Sequence, residues 1–345
     1  MLFEPPSTLP ILALAVLLAG MLSLVTIGRL LPSLQKRALA VPDHRSSHSI
    51  VTPQGAGIGW VAATLVVSVG LVSWSGLFSR EWLFLFAALV GLSFLGFIDD
   101  INPLDWRKKL VAQSLLAGIC LLALPRIDGP IWLQVPAFLA IAMAFITLIN
   151  FTNFVDGIDE ITAAHGIPAL AVPVALASFG ILSPFQGIVA ASGLGALIGF
   201  WWWNRHPARI FLGDAGSLPL GLFLAWSALL ICHAGYPVAA LLSITYPVLD
   251  AGLTLLRRWW SGARLTQPHR DHAFQRAVDR GLPARTVTGI VLLVSMTNAV
   301  LAIISSLGSP VTMAFCLLAG CIVGLVPILA WLMVPSWPVQ PGDRL

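Results

Sequence analysis

The chain has 345 residues, 58% of them hydrophobic and only 10% charged, with a mean hydropathy of +0.90 and a net charge of +4. A soluble domain of this length carries about a quarter charged residues, so the composition excludes one. No nucleic-acid partner is expected, and membrane lipids are the expected surroundings.

A bilayer core about 30 Å thick takes about 20 apolar residues per helix. On that measure the sequence predicts eleven spans, near 11–31, 58–77, 82–98, 110–124, 131–150, 167–182, 185–203, 217–232, 237–256, 287–307 and 311–334. The runs are continuously apolar, without the ten-residue alternating segments of a β-barrel. The expected fold is all-α: one polytopic integral membrane bundle over 1–345, forming a single transmembrane domain. The segment before the first run has no Lys or Arg and contains Glu4, so it reads as a retained first span with its N-terminus outside. Cys120, Cys232, Cys316 and Cys321 fall in or beside apolar runs without CxxC spacing and read as small core hydrophobes.

With these spans, one side of the membrane receives 32–57, 99–109, 151–166, 204–216, 257–286 and the C-terminus. Counting Arg29, that side holds 17 of the 19 Lys and Arg residues, only Arg80 and Arg126 falling opposite. The positive-inside rule makes it cytoplasmic. Of the 15 acidic residues, only Glu4, Glu81 and Asp128 are on the outer side.

The inner side carries the motifs. The first loop, Asp43 to Gly59, is polar and then Gly-rich; it could wrap an anion or simply lead into the second span. The third span ends in Asp99-Asp100, with Asp105 and then Arg107-Lys108-Lys109 following. Adjacent carboxylates repel unless a cation or proton neutralises them, which suits Mg²⁺-assisted phosphate chemistry. The plainer alternative is a polar turn in which Asp105 caps the next helix. The fifth span runs into Asn153, Asp156 and Asp159-Glu160, at steps of three that fall on one face if the helix continues. Asn offers a donor and an acceptor, as nucleobase or ribose recognition requires, and the carboxylates suit metal or ribose hydroxyls. A solvated helix end would read the same way. Gly213-Asp214-Ala215-Gly216 precedes the eighth span, where glycines let a ligand approach the backbone and a helix N-terminus favours a phosphate; read as an N-cap, Asp214 would need no further explanation.

Asp250 sits deep in the ninth span, where an acid has either a partner or a function. The longest loop, 257–286, has seven arginines and two histidines, His269 and His272, and suits phosphate binding, although positive-inside charge alone would place arginines there. Gly195-x-x-x-Gly199 reads as helix packing.

The segments FIDDINPLDWRKKLVAQ, NFTNFVDGIDE, FLGDAGSLPLG and YPVLDAGLTLLRRW, in this order, resemble the signatures of the polyprenyl-phosphate N-acetylhexosamine-1-phosphate transferases. The resemblance runs from the loop of Arg45 and His48 to Gly281. It implies transfer of a sugar-1-phosphate from a UDP-N-acetylhexosamine to undecaprenyl phosphate, with release of UMP. It also implies dependence on Mg²⁺, with Mn²⁺ as a substitute, a bacterial inner-membrane location with the active site on the cytoplasmic face, and room for a homodimer. By position it makes Asp99, Asp100 and His272 catalytic and Asp214 and Asp99 the metal site. Asn153, Asp156, Asp159, Arg270, Arg276, Arg45 and His48 become substrate-binding. Four positions depart from the family pattern: Phe274 and Gln275 replace the later histidines of its HxHH element, Glu160 replaces a usual Gly, and Gln54 replaces a common Arg. HRDHAFQ resembles the O-antigen-initiating branch, and argues against the triple-histidine peptidoglycan enzyme. From another class, a secondary transporter would place its ionisable residues near the midplane and carry internal repeats. Only Asp250 lies deep, and no repeat is evident.

Overall fold

The structure, a computed structural model, describes residues 8–40, 50–77, 81–122, 130–265, 267 and 269–333. Arg45 and His48 lie outside the described residues, as do Arg80, Arg126 and both chain ends. In chain order the helices are α1 (Leu9–Arg37), α2 (Gly57–Trp74), α3 (Glu81–Ile101), α4 (Trp106–Leu121), α5 (Ile131–Val155), α6 (Ile161–Ser178) and α7 (Pro184–Asn204). They continue with α8 (Asp214–His233), α9 (Pro237–Ser243), α10 (Thr245–Trp260), α11 (Ala273–Asp279), α12 (Ala284–Leu307) and α13 (Pro310–Met333). The protein is a polytopic all-α membrane bundle. In lipid every backbone polar group must be satisfied within the chain, and helices do this locally.

Nine of the described helices are long and apolar enough to cross a membrane, and α9 with α10 makes a tenth crossing bent by 70°. The bend falls at Ile244, in a span expected to be continuous. The fourth expected span is α4, whose 16 residues open on Trp106-Arg107-Lys108-Lys109 and fall short of a full crossing. Two further boundaries differ from expectation. Helix α6 starts at Ile161, six residues early, because Ile161, Ala163 and Ala164 are buried against neighbouring helices. Helix α5 stops at Val155, so Asp156 and Asp159 do not extend its face; they stand in the turn that follows.

Helix α8 is the hub, with 89% of its span buried, and it packs on α3, α5, α2 and α9. Helix α7 packs on α1, α6 and α2. Its Gly195 and Gly199 touch α1 backbone: an added Cβ would lie 2.1 Å from Val16 O and 2.3 Å from Gly20 O. The GxxxG pair is a helix-packing device, as expected. Between α1 and α2 the chain forms a two-residue antiparallel pair, β1 (Leu39–Ala40) with β2 (Thr52–Pro53). The strand end then docks on the segment before α8: Phe211 N–H donates to Pro53 O, and Ala56 N–H returns to Phe211 O. A second small core, with Phe274 and Ala277 of α11 against Ile161, Tyr246, Val287 and Trp331, fastens the last long loop beneath the same end of the bundle.

Candidate active site

The site forms where the ends of α3, α5 and α7 and the start of α8 meet. Gly96 lies one turn before Asp100, and its missing side chain lets α3 touch α8: an added Cβ would be 2.1 Å from Asp214 O. Contact at that distance aims Asp100 at the open end of α8, where backbone N–H groups have no intrahelical partner. Asp100 Oδ1 accepts from Asp214 N (2.9 Å) and Oδ2 from Ala215 N (3.1 Å). The intervening Gly213 has φ 71° and is the N-cap of α8; a Cβ there would collide with Asp100 Oδ2 at 2.4 Å. Asp214 is therefore not the N-cap but the first helical residue.

Asp99 turns the other way. Its Oδ1 accepts Leu104 N–H at 2.7 Å, and its Oδ2 accepts Lys109 Nζ at 2.9 Å. The same ammonium bonds Asp214 Oδ2, so Lys109 is clasped between the two carboxylates. Asp105 caps α4 by accepting Arg107 N–H (3.0 Å), and this places Lys109 one turn into the helix, facing the site. Asn153 Nδ2 donates to Asp214 Oδ1 (2.6 Å) and to Ser217 Oγ (2.9 Å), tying the end of α5 to α8. Thus Asp99, Asp100, Asn153 and Asp214 form one network.

The turn between α5 and α6 makes the adjoining wall. Asp156 Oδ1 accepts the Thr162 hydroxyl. Burial, with the nearby Asp214 charge, pushes the Asp156 carboxyl up to about 7 against the opposing pull of that hydroxyl. Asp159 Oδ2 lies 2.7 Å from His206 Nδ1 and accepts Ala208 N–H at 3.0 Å. Glu160 has φ 67°, the left-handed region that favours glycine. Its carboxylate offsets this by accepting from Trp201 Nε1 (2.9 Å) and His206 N (2.8 Å), while its own N–H donates to Asn204 Oδ1 (2.8 Å). These residues enclose a cavity of ≈ 490 Å³ whose lining includes Asp100, Asn153, Asp156, Asp159, His206 and Asp214.

The loop residues fall elsewhere. Arg270 pairs with Asp279 through Nη2 (2.7 Å), and Arg276 Nη2 donates to Leu332 O (3.4 Å); neither lines the cavity. His272 is 3% exposed and sits behind the cavity, its Nδ1 3.0 Å from Asp250 Oδ1. Gln275, on the same short helix, does line it. The neighbouring His269 is pushed down to about 4 by burial and by the charges of His272 and Arg258. Sequence reasoning left Lys109 among generic basic residues and passed over Ser217, Thr162 and His206. The one available signal was Lys109's place a turn beyond a capping aspartate.

Among the described residues no three His, Cys, Asp or Glu side chains stand together as a ready metal cage. Mg²⁺ does not need one: it is held by one or two carboxylates with water and substrate phosphate. Asp99 and Asp214 already share a cation in Lys109, so two carboxylates stand where one cation can serve both. This all-oxygen set fits the ion.

The model of the glycosyl transferase family 4 matches residues 82–232, which contain Asp99, Asp100, Asn153, Asp156, Asp159 and Asp214. The chain is 34% identical over 233 residues to a phospho-N-acetylmuramoyl-pentapeptide-transferase of Deinococcus radiodurans, covering 59% of this chain and 71% of that one. Proteins of the same name from Helicobacter pylori (29% over 225 residues; 55% and 62%) and Desulfosudis oleivorans (30% over 239 residues; 59% and 65%) are also similar. The chain thus spans between three fifths and three quarters of these relatives. The match extends over the converging carboxylates and the helices that carry them, and this chain belongs to glycosyl transferase family 4.

Proposed function

We propose that the protein transfers an N-acetylhexosamine-1-phosphate from a UDP-sugar to undecaprenyl phosphate at the cytoplasmic face of a bacterial inner membrane, releasing UMP. The observation that carries this reading is the convergence of Asp99, Asp100, Asp214, Asn153 and Lys109 at one end of an apolar bundle, beside a cavity large enough for a nucleotide. The similarity to transferases named for a phospho-sugar peptide supports the same class of reaction.

In this reading an oxygen of the lipid phosphate attacks the sugar-bearing phosphorus, a new P–O bond forms, and the bond to the uridylyl oxygen breaks. Mg²⁺ held by Asp214 and Asp99 would neutralise charge on the diphosphate. Asp100 has both oxygens engaged by α8 and holds the helix start in place. Asp99 is then the member of the pair suited to orient the acceptor, with Lys109 beside it. Asp156 and Asp159 line the part of the cavity assigned to the nucleoside, and His272 is assigned to phosphate; Arg270 and Arg276, engaged with Asp279 and Leu332, are given no substrate contact. Phe274 and Gln275 favour a donor sugar other than a muramoyl-pentapeptide, with O-antigen initiation as the pathway class.

The test is UMP release by purified protein in detergent with undecaprenyl phosphate, Mg²⁺ and a panel of UDP-N-acetylhexosamines. Release with one donor, abolished by EDTA, is the expected result. Folded protein that neither binds nor turns over any donor would overturn the reading.

A further inference from the structure

Asp250 is fully buried in α10, and four groups surround its carboxylate. Oδ1 accepts Ala273 N–H (3.2 Å) and faces His272 Nδ1 (3.0 Å). Oδ2 accepts Phe274 N–H (3.3 Å) and the Tyr246 hydroxyl (3.2 Å). Backbone N–H groups only donate, and one reaches each oxygen. A carboxylate offers about four lone-pair sites, and these four groups meet all of them. Three donors already meet the carboxylate, and this geometry favours the imidazole as the fourth, donating through Nδ1.

The ring is held on its faces as well. It stacks on His269 (5.1 Å between centroids) and Phe274 (5.9 Å), with Phe154 6.0 Å away. The same carboxylate fixes the first turn of α11, which carries Gln275 into the cavity wall and Phe274 against Gly157, where an added Cβ would be 2.9 Å from the ring.

We propose that Asp250 is a positioning residue for His272: it pins the ring through Nδ1–H, leaving Nε2 as the ring atom that meets a substrate phosphate. The inference rests on the transferase reading given above. Outer partners of functional histidines act in this way in metal sites, where losing one costs about 10- to 100-fold.

Two experiments test it. The first is ¹⁵N-histidine NMR of the full-length protein in detergent, with the His272 signals identified by their loss in His272→Gln. A proton on Nδ1 is expected; an unprotonated Nδ1 would overturn the proposal whether or not the protein is active. The second is a double-mutant cycle on UMP release. Asp250→Asn should lower kcat about 10- to 100-fold in the wild-type background and cause no further loss in His272→Gln, because Asp250 acts through the ring. Equal losses in both backgrounds would assign Asp250 to the fold alone. Failure of the wild-type protein to release UMP would sink the transferase reading but leave the NMR result decisive for the pairing.

Discussion

At the scale of single residues, the feature that organises the site is an ammonium shared by two carboxylates. Lys109 lies between Asp99 and Asp214, where any divalent ion serving both acids must displace it. Lys109→Met should leave the acids repelling each other, lowering the apparent melting temperature without metal. Mg²⁺ should then raise the melting temperature of the variant more than that of the wild type; equal shifts would show that the ion does not use this pair. Asp156 supplies a second prediction. Its folded-state value, about 7, lies above the ordinary 3.8, so between those values the folded protein binds more protons than the unfolded. Its contribution to stability therefore declines as pH rises through that window. In metal-free protein, Asp156→Asn should gain in melting temperature relative to wild type between pH 5 and pH 8, and a constant difference would contradict the assignment. The acids themselves were legible in the sequence, because charge beside apolar runs is costly and stands out. Their division of labour was not. Asp99 and Asp100 are neighbours in sequence, yet one grips Lys109 and the other caps a helix more than a hundred residues away.

At the scale of helices, the site depends on backbones that touch. Gly96 and Gly57 both abut the first turn of α8, an added Cβ lying 2.1 Å from Asp214 O and from Gly216 Cα respectively. Neither contact is a flexible side chain that can move aside. Gly96→Ala must push α3 away from α8, at an overpacking cost of about 1–3 kcal/mol, and withdraw Asp100 from the N–H groups it holds. A lower melting temperature and loss of UMP release are expected. Gly70→Ala in α2, where nothing lies within 4 Å, is the control and should be neutral or stabilising by about 0.5–1 kcal/mol. A Gly96→Ala protein as stable and active as the control would show that the α3–α8 contact does not build the site. Hydropathy located nearly all the helices because the lipid environment demands long apolar runs. It misplaced the start of α6, missed the break between α9 and α10, and ended the fifth span at Asn150 where α5 runs on to Val155. Those features are decided by packing between segments distant in sequence, on which a run of apolar residues is silent.

At the scale of the whole molecule, α8 sets the distance from the site to the opposite face. Its 20 residues, at 1.5 Å each, cover about 30 Å, the thickness of the hydrocarbon core. Asp214 begins it, and Cys232, exposed, stands one residue from its end. The two positions must therefore face opposite compartments. Under the proposed function the Asp214 end faces the cytoplasm, the side that the excess of Lys and Arg favours. A membrane-impermeant maleimide applied to intact spheroplasts should therefore modify Cys232. Cys120 and Cys316 are buried and should be protected, and Cys232→Ser should remove the main signal. In that background Lys108→Cys, at an exposed position beside the site, should react only after the membrane is permeabilised. The reverse pattern would put the cavity outside the cell and separate it from any UDP-sugar, whatever its geometry. Labelling from both sides at one position would mean that α8 does not cross, and the hub of the bundle would have to be redrawn.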